Sequence, residues 1–197
     1  ISELADVLFH NLGEIRITSP AQIPEDLKVA GNVTFEQGII GEGHHISNQG
    51  TLAIAGSSGS FGNVDNNGVL RISNHANLKA NGFKNTGMLV LSGATQFDLS
   101  EGFVDNGSVY APKLIRVKAA EITLSDTSIW HLTDCVLNAP KISAPHEAQL
   151  HYYSGANFSL VFTFYKLTLY YTDFLYFAPL DRAKASKNLT HSQIRTE

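Results

Sequence analysis

The sequence predicts an all-β fold, a parallel β-helix (β-solenoid) with about 19 residues per coil, on three observations. First, glycines recur at Gly13, Gly31, Gly50, Gly68, Gly87 and Gly107, spaced 18, 19, 18, 19 and 20 residues apart. Second, an apolar residue stands four positions before each of them: Phe9, Leu27, Ile46, Val64, Phe83 and Phe103. Third, two apolar columns follow at offsets two and four. They read Ile15, Val33, Leu52, Leu70, Leu89, Val109 and Ile17, Phe35, Ile54, Ile72, Leu91, Ala111. A period of two is that of a strand with one buried face. At about 3.3 Å per residue such a unit has a contour of roughly 60 Å, which suits a coil of two or three short strands. One coil cannot bury its apolar side alone, so successive coils stack at about 4.8 Å and form parallel sheets. The glycine marks a corner where the chain turns or approaches another backbone closely.

Taken in order, residues 1–26 form an N-terminal cap and the first coil. The apolar run Leu4, Val7, Leu8 offers a capping helix or an extra strand, because the end of a solenoid exposes a strand edge. Residues 27–150 form the parallel β-helix. A second strand in each coil shows where Leu78 follows Leu70, and Phe97 follows Leu89, by eight residues. Small turn-forming residues separate the strands at 56–62, Ser73-Asn74-His75 and Ser92-Gly93. After Gly107 the glycine register fades, but alternation persists through Leu114, Val117, Ile122, Leu124, Ile129, Leu132, Val136 and Ile142, as in wider coils on the same axis. Residues 151–180 are crowded with aromatics and read as a β segment packing on or capping the solenoid. The run from Phe158 to Leu180 is long enough to cross a membrane, yet Lys166 and Asp173 lie inside it and its aromatic alternation fits strands. Residues 181–197 are a polar tail.

Apolar residues at 43% and charged residues at 16% describe a folded chain. A net charge of −4 argues against a broad nucleic-acid surface. Cys135 is the single cysteine, so neither an intramolecular disulfide nor a CxxC zinc site is expected, and it reads as a buried structural residue. The first residues hold no basic segment followed by an apolar run, so no signal peptide is expected there, and the chain reads as a piece of something longer.

Two further columns bear on function. Two positions before the glycine stand Asn11, Val29, Asn48, Asn66, Asn85 and Asp105. Amides stacked coil above coil can hydrogen-bond along the axis as a structural ladder, or cap the turns. The outward positions after the glycine are polar at first, Glu14, Arg16, Asn32 and Thr34, and then become Val69, Met88, Val90 and Tyr110. An outward face that turns apolar is a candidate interface, to be covered by residues 152–177, another subunit or a host ligand.

Candidates for chemistry are sparse. Asp65 and Lys84 fall in one column as stacked neighbours, which reads as a surface ion pair. Asp98, Glu101 and Asp105 form an acidic group around a turn, the arrangement a glycan-cleaving site would need. His44 and His45 are adjacent and would point to opposite faces of a strand, while His75, His131, His146 and His151 are scattered. Trp130 reads as core or cap. No phosphate-binding, nucleophile-elbow, zinc-protease or dinucleotide motif occurs, so no catalytic residue, cofactor or metal is assigned.

The segments Ile46-Ser47-Asn48-Gln49-Gly50-Thr51-Leu52 and Phe83-Lys84-Asn85-Thr86-Gly87-Met88-Leu89-Val90-Leu91 resemble the repeats of filamentous-haemagglutinin-like bacterial exoproteins. The phrase Gly107-Ser108-Val109-Tyr110-Ala111-Pro112-Lys113-Leu114 has the same character, so the likeness spans residues 9–118 at most. The resemblance implies a right-handed β-helix in a secreted or surface-displayed adhesive fibre, with no catalytic residues in its repeats. The aromatic segment departs from that pattern. Three readings stay open: a structural and adhesive module binding a host-surface protein or glycan, a carbohydrate-active β-helix enzyme, and an effector-like solenoid that binds a host protein.

Overall fold

The structure, a computed structural model, describes residues 13–23, 25–145, 148–161 and 176–179. Among these every regular element is a strand and the strands pair in parallel, so the predicted β-solenoid is what forms. Each coil has three faces. The first carries the glycine-led strands Glu14–Ile17, Asn32–Phe35, Thr51–Ile54, Val69–Ile72 and Met88–Leu91, continued by 108–111, 129–132, 149–152 and Tyr176–Pro179. The second carries Ala21–Gln22, Ile39–Glu42, Ser57–Phe61, Ala76–Ala80 and Thr95–Leu99, continued by 115–118, 134–138 and 157–161. The third is a separate 7-stranded sheet of Leu27–Val29, Ile46–Asn48, Val64–Asn66, Phe83–Asn85, Gly102–Asp105, Glu121–Leu124 and Lys141–Ser143.

The first two faces merge into one 14-stranded sheet. In the early coils a turn separates them, with Asn74 at φ 65° in the left-handed region that asparagine tolerates. In the later coils the long strands Ser108–Lys118, Ile129–Asn138 and Gln149–Val161 run around this corner instead. The bend is absorbed as a register shift between Ala111 and Leu114 and again between Leu132 and Asp134. Register also shows how the coils widen. Val109 pairs with Trp130, 21 residues on, and Trp130 with Leu150, 20 residues on.

The inward residues of all three faces form one core. Leu52, Leu70, Leu89, Val109, Trp130 and Leu150 lie in a single buried file from the first face. Aromatic rings fill the middle. Phe83 stacks on Phe103 one coil along at 5.3 Å, and Phe97 meets them edge-on at 4.9 and 5.4 Å. Trp130 closes this group edge-on to Phe103 at 5.9 Å.

The repeat glycines serve close approach and not an unusual φ. The glycines with positive φ are Gly38, Gly43, Gly56 and Gly59, none of them in the repeat column. Each repeat carbonyl, from Gly13, Gly31, Gly50, Gly68, Gly87 and Gly107, accepts the amide of the residue that starts the first-face strand one coil on, at 2.8–3.2 Å. A Cβ on Gly50, Gly68, Gly87 or Gly107 would collide with the carbonyl oxygen of the glycine one coil back. At these four positions only glycine fits. Beyond Gly107 its successors are Ser128 and Ala148, whose carbonyl and following amide continue the same bonding, Gln149 N to Ser128 O at 2.9 Å.

Candidate functional site

The polar column forms a buried file on the third face. Asn48 Nδ2 donates to Asn66 Oδ1 at 2.7 Å, Asn66 Nδ2 to Asn85 Oδ1 at 2.7 Å, and Asn85 Nδ2 to Asp105 Oδ1 at 2.6 Å. The second proton of each amide reaches a backbone carbonyl of the first face: Val69 O and Met88 O at 3.0 Å, Ser108 O at 3.3 Å. All four side chains are buried. Asn11 lies outside the described residues.

The file has a direction and two defined ends. At its start the column continues as Val29, which has nothing to donate, and Asn48 Oδ1 is left buried without a partner. At its finish Asp105 receives Asn85 on Oδ1 and Trp130 Nε1 on Oδ2, the latter at 2.8 Å. An ionised carboxylate only accepts, so it suits a position where donors arrive from both sides. Burial pushes the Asp105 carboxyl above its ordinary range, opposed by hydrogen bonds from Trp130, Asn85, Ser128 and the Gly107 amide. Beyond Asp105 the column is Leu124, and the corner gains residues held as a turn by Ser125, Thr127 and Ser128. Trp130 is therefore core, and its ring nitrogen closes the ladder.

The outward side of the first face carries the other predicted group. Val69 pairs with Met88 in register, and Val90 with Tyr110. Met88 is 45% exposed and Tyr110 42%, while Val69 and Val90 are half-buried. The next coil adds Ile129, exposed to 37%, beside His131. These residues form a flat apolar patch on a sheet whose backbone is fully paired on both sides. The strands Gln149–Val161 and Tyr176–Pro179 lengthen this face along the axis, and residues 162–175, to which much of the expected covering segment belongs, lie outside the described residues.

The candidates for chemistry do not converge. Asp65 and Lys84 are register partners with no ion pair between them. The acidic group of Asp98, Glu101 and Asp105 is dispersed by the coil geometry. Asp98 faces out from the second face 3.7 Å from Lys118, Glu101 is exposed at a corner, and Asp105 points into the core. His44 and His45 sit on a corner and not within a strand, so strand alternation does not govern them. His45 Nδ1 accepts the Asn63 amide at 2.7 Å, and the His44 ring faces Asp26 at 3.8 Å. Cys135 is buried, and desolvation pushes its thiol far up. Among the described residues no three His, Cys, Asp or Glu side chains gather as a metal site.

One pair escaped the sequence reading. His131 and His151 are register partners on the first face, and their rings stack with centroids 5.1 Å apart at an interplanar angle of 16°. They are one widened coil apart, so the repeat itself was the signal that could have joined them. The Gln149 side chain is beside them, its Oε1 accepting from His151 Nε2 at 3.0 Å. Partial burial and the neighbouring His151 lower the tendency of His131 to protonate.

No family model, curated protein or solved structure matches this chain. What the structure establishes is the solenoid, an architecture consistent with a structural or binding β-helix module.

Proposed function

We propose that this chain is a β-helical rod of a secreted or surface-displayed bacterial protein, and that it binds a host-surface protein or glycan through its first face. The observation that carries this reading is the outward row of half-buried Val69 and Val90 and exposed Met88 and Tyr110, extended by Ile129, on a rigid sheet. The interior amides and glycines are committed to stacking the coils, so variation in function is left to the outward columns. A flat array favours adhesion over catalysis, because glycan cleavage needs carboxylates brought within several ångströms of one bond, and Asp98, Glu101 and Asp105 point different ways. The likeness of the repeats to those of filamentous-haemagglutinin-like exoproteins supports the adhesive and exported setting. Large, partly exposed side chains such as Met88 and Tyr110 are the type that anchors an interface.

The test is a glycan and cell-surface binding screen on the full chain, with polysaccharide cleavage followed in parallel. The double variant Met88→Lys with Tyr110→Ala should weaken the binding found by about tenfold or more, since a buried charge and a lost ring act on the same spot. Binding that survives both changes, or polysaccharide depolymerisation by the wild type, overturns the reading.

A further inference from the structure

We infer that His131, His151 and Gln149 form a binding site for a divalent transition metal of borderline softness, with Cu2+ held most tightly and Zn2+ less so. The three residues share the outward side of two neighbouring first-face strands. His131 and His151 are held side by side because parallel pairing in register places equivalent positions of successive coils one strand spacing apart. Gln149 precedes His151 by two residues and so emerges on the same side of the strand.

Rings stacked at 5.1 Å and nearly parallel each cover one face of the other. A metal ion is recognised by the ring nitrogens. Two imidazoles are a donor set for copper, nickel or zinc, and among these the intrinsic order of affinity places Cu2+ first. The amide oxygen completes the group. His151 Nε2 and Gln149 Oε1 lie 3.0 Å apart, close to the separation of two adjacent ligands that each stand about 2.1 Å from one ion. Binding needs the Nε2 lone pair, so the proton that Nε2 now donates to Gln149 is carried on Nδ1 in the bound tautomer and the ring stays neutral. Nearly parallel rings cannot both aim in-plane lone pairs at one ion, so binding turns the His131 ring out of the stack to bring a nitrogen to it, and water fills the remaining positions.

The experiment is titration of the full chain with Cu2+, and then Zn2+, at neutral pH. The expected result is saturation of this site by one ion, with affinity falling about tenfold or more in His131→Gln and in His151→Gln, and by less in Gln149→Ala. Far-UV circular dichroism on each variant shows that the solenoid persists. A second measurement uses the wild type alone: bound Cu2+ should broaden the amide resonances of 108–110, 129–132 and 149–151 and show two imidazole nitrogens by electron spin-echo modulation. No saturable binding, broadening centred elsewhere, a single imidazole, or unchanged affinity in either histidine variant overturns the site.

Discussion

Removing one rung of the asparagine ladder should cost more in the middle than at its start, and the difference follows from counting acceptors. Asn66 accepts from Asn48 at 2.7 Å, donates to Asn85 at 2.7 Å and donates to Met88 O at 3.0 Å. In Asn66→Ala all three are lost. Asn85 Oδ1 then has no donor, and Asn48 Oδ1 remains without one as before. Asn48→Ala loses two donations, to Asn66 and to Val69 O. It leaves Asn66 Oδ1 stranded but removes the stranded Asn48 Oδ1, so the number of unpaired buried acceptors does not change. Each net hydrogen bond contributes about 1 kcal/mol and each newly orphaned buried acceptor costs roughly 1–3 kcal/mol. Asn66→Ala should therefore destabilise by about 4–6 kcal/mol and Asn48→Ala by about 2 kcal/mol.

Urea denaturation read by the fluorescence of Trp130, the single tryptophan, is the suitable assay. That indole is buried and bonded to the last rung, so it reports on the ladder directly. Equal losses for the two variants would refute the acceptor count. A loss below about 1 kcal/mol for Asn66→Ala would show that the amides only fill space and do not hold the coils.

Two other outcomes follow. In Gly68→Ala the new methyl meets the Gly50 carbonyl, whereas in Gly102→Ala the nearest atom is Glu121 O at 3.7 Å, an ordinary contact. Thermal denaturation should show a loss of about 3 kcal/mol or more for the first and no loss for the second; similar values would mean that the repeat glycines are not there for close approach. For Asp105, a folded carboxyl raised above its unfolded value stabilises the protein in its protonated form. That contribution is complete below the unfolded carboxyl range, near pH 4, and is lost as pH rises through the raised folded value. Asp105→Asn removes this slope while setting an amide donor against Trp130 Nε1 or Asn85 Nδ2, so parallel stability–pH profiles for the two proteins would refute the assignment.

The solenoid was legible because its two strongest signals, glycine spacing and period-two alternation, are both local. Leu52, Leu70 and Leu89 announce their burial through their neighbours, and the columns that contain them register the coils without further information. The direction of the ladder was not legible. It depends on which residues lie next in the column at each end, Val29 and Leu124, and on Trp130 arriving from a different face. The dispersal of Asp98, Glu101 and Asp105 was hidden for a related reason. Nearness in sequence around a corner places side chains on different faces, and only one of these points inward. His131 and His151 were missed because the glycine column that would have aligned them has already become Ser128 and Ala148.

The same change of register links the interior to the surface. From Asn48 to Asp105 the third face is filled by an amide file that fixes both spacing and direction, since a slip of one residue would bring valine, serine or lysine side chains against it. Where the file ends, the core is filled by Trp130 and Cys135, the coil lengthens, and two faces fuse around a bent strand. The outward positions over the earliest coils are Asn32, Thr34, Thr51 and Ala53. The apolar row starts over the ladder itself, at Val69 and Met88, and runs through Val90, Tyr110 and Ile129 to the imidazoles of His131 and His151 past the ladder's end. If the first face is a binding surface, substitutions at Met88 and Tyr110 should alter recognition without altering the unfolding midpoint, whereas those at Asn66 should do the reverse at concentrations where the chain stays folded.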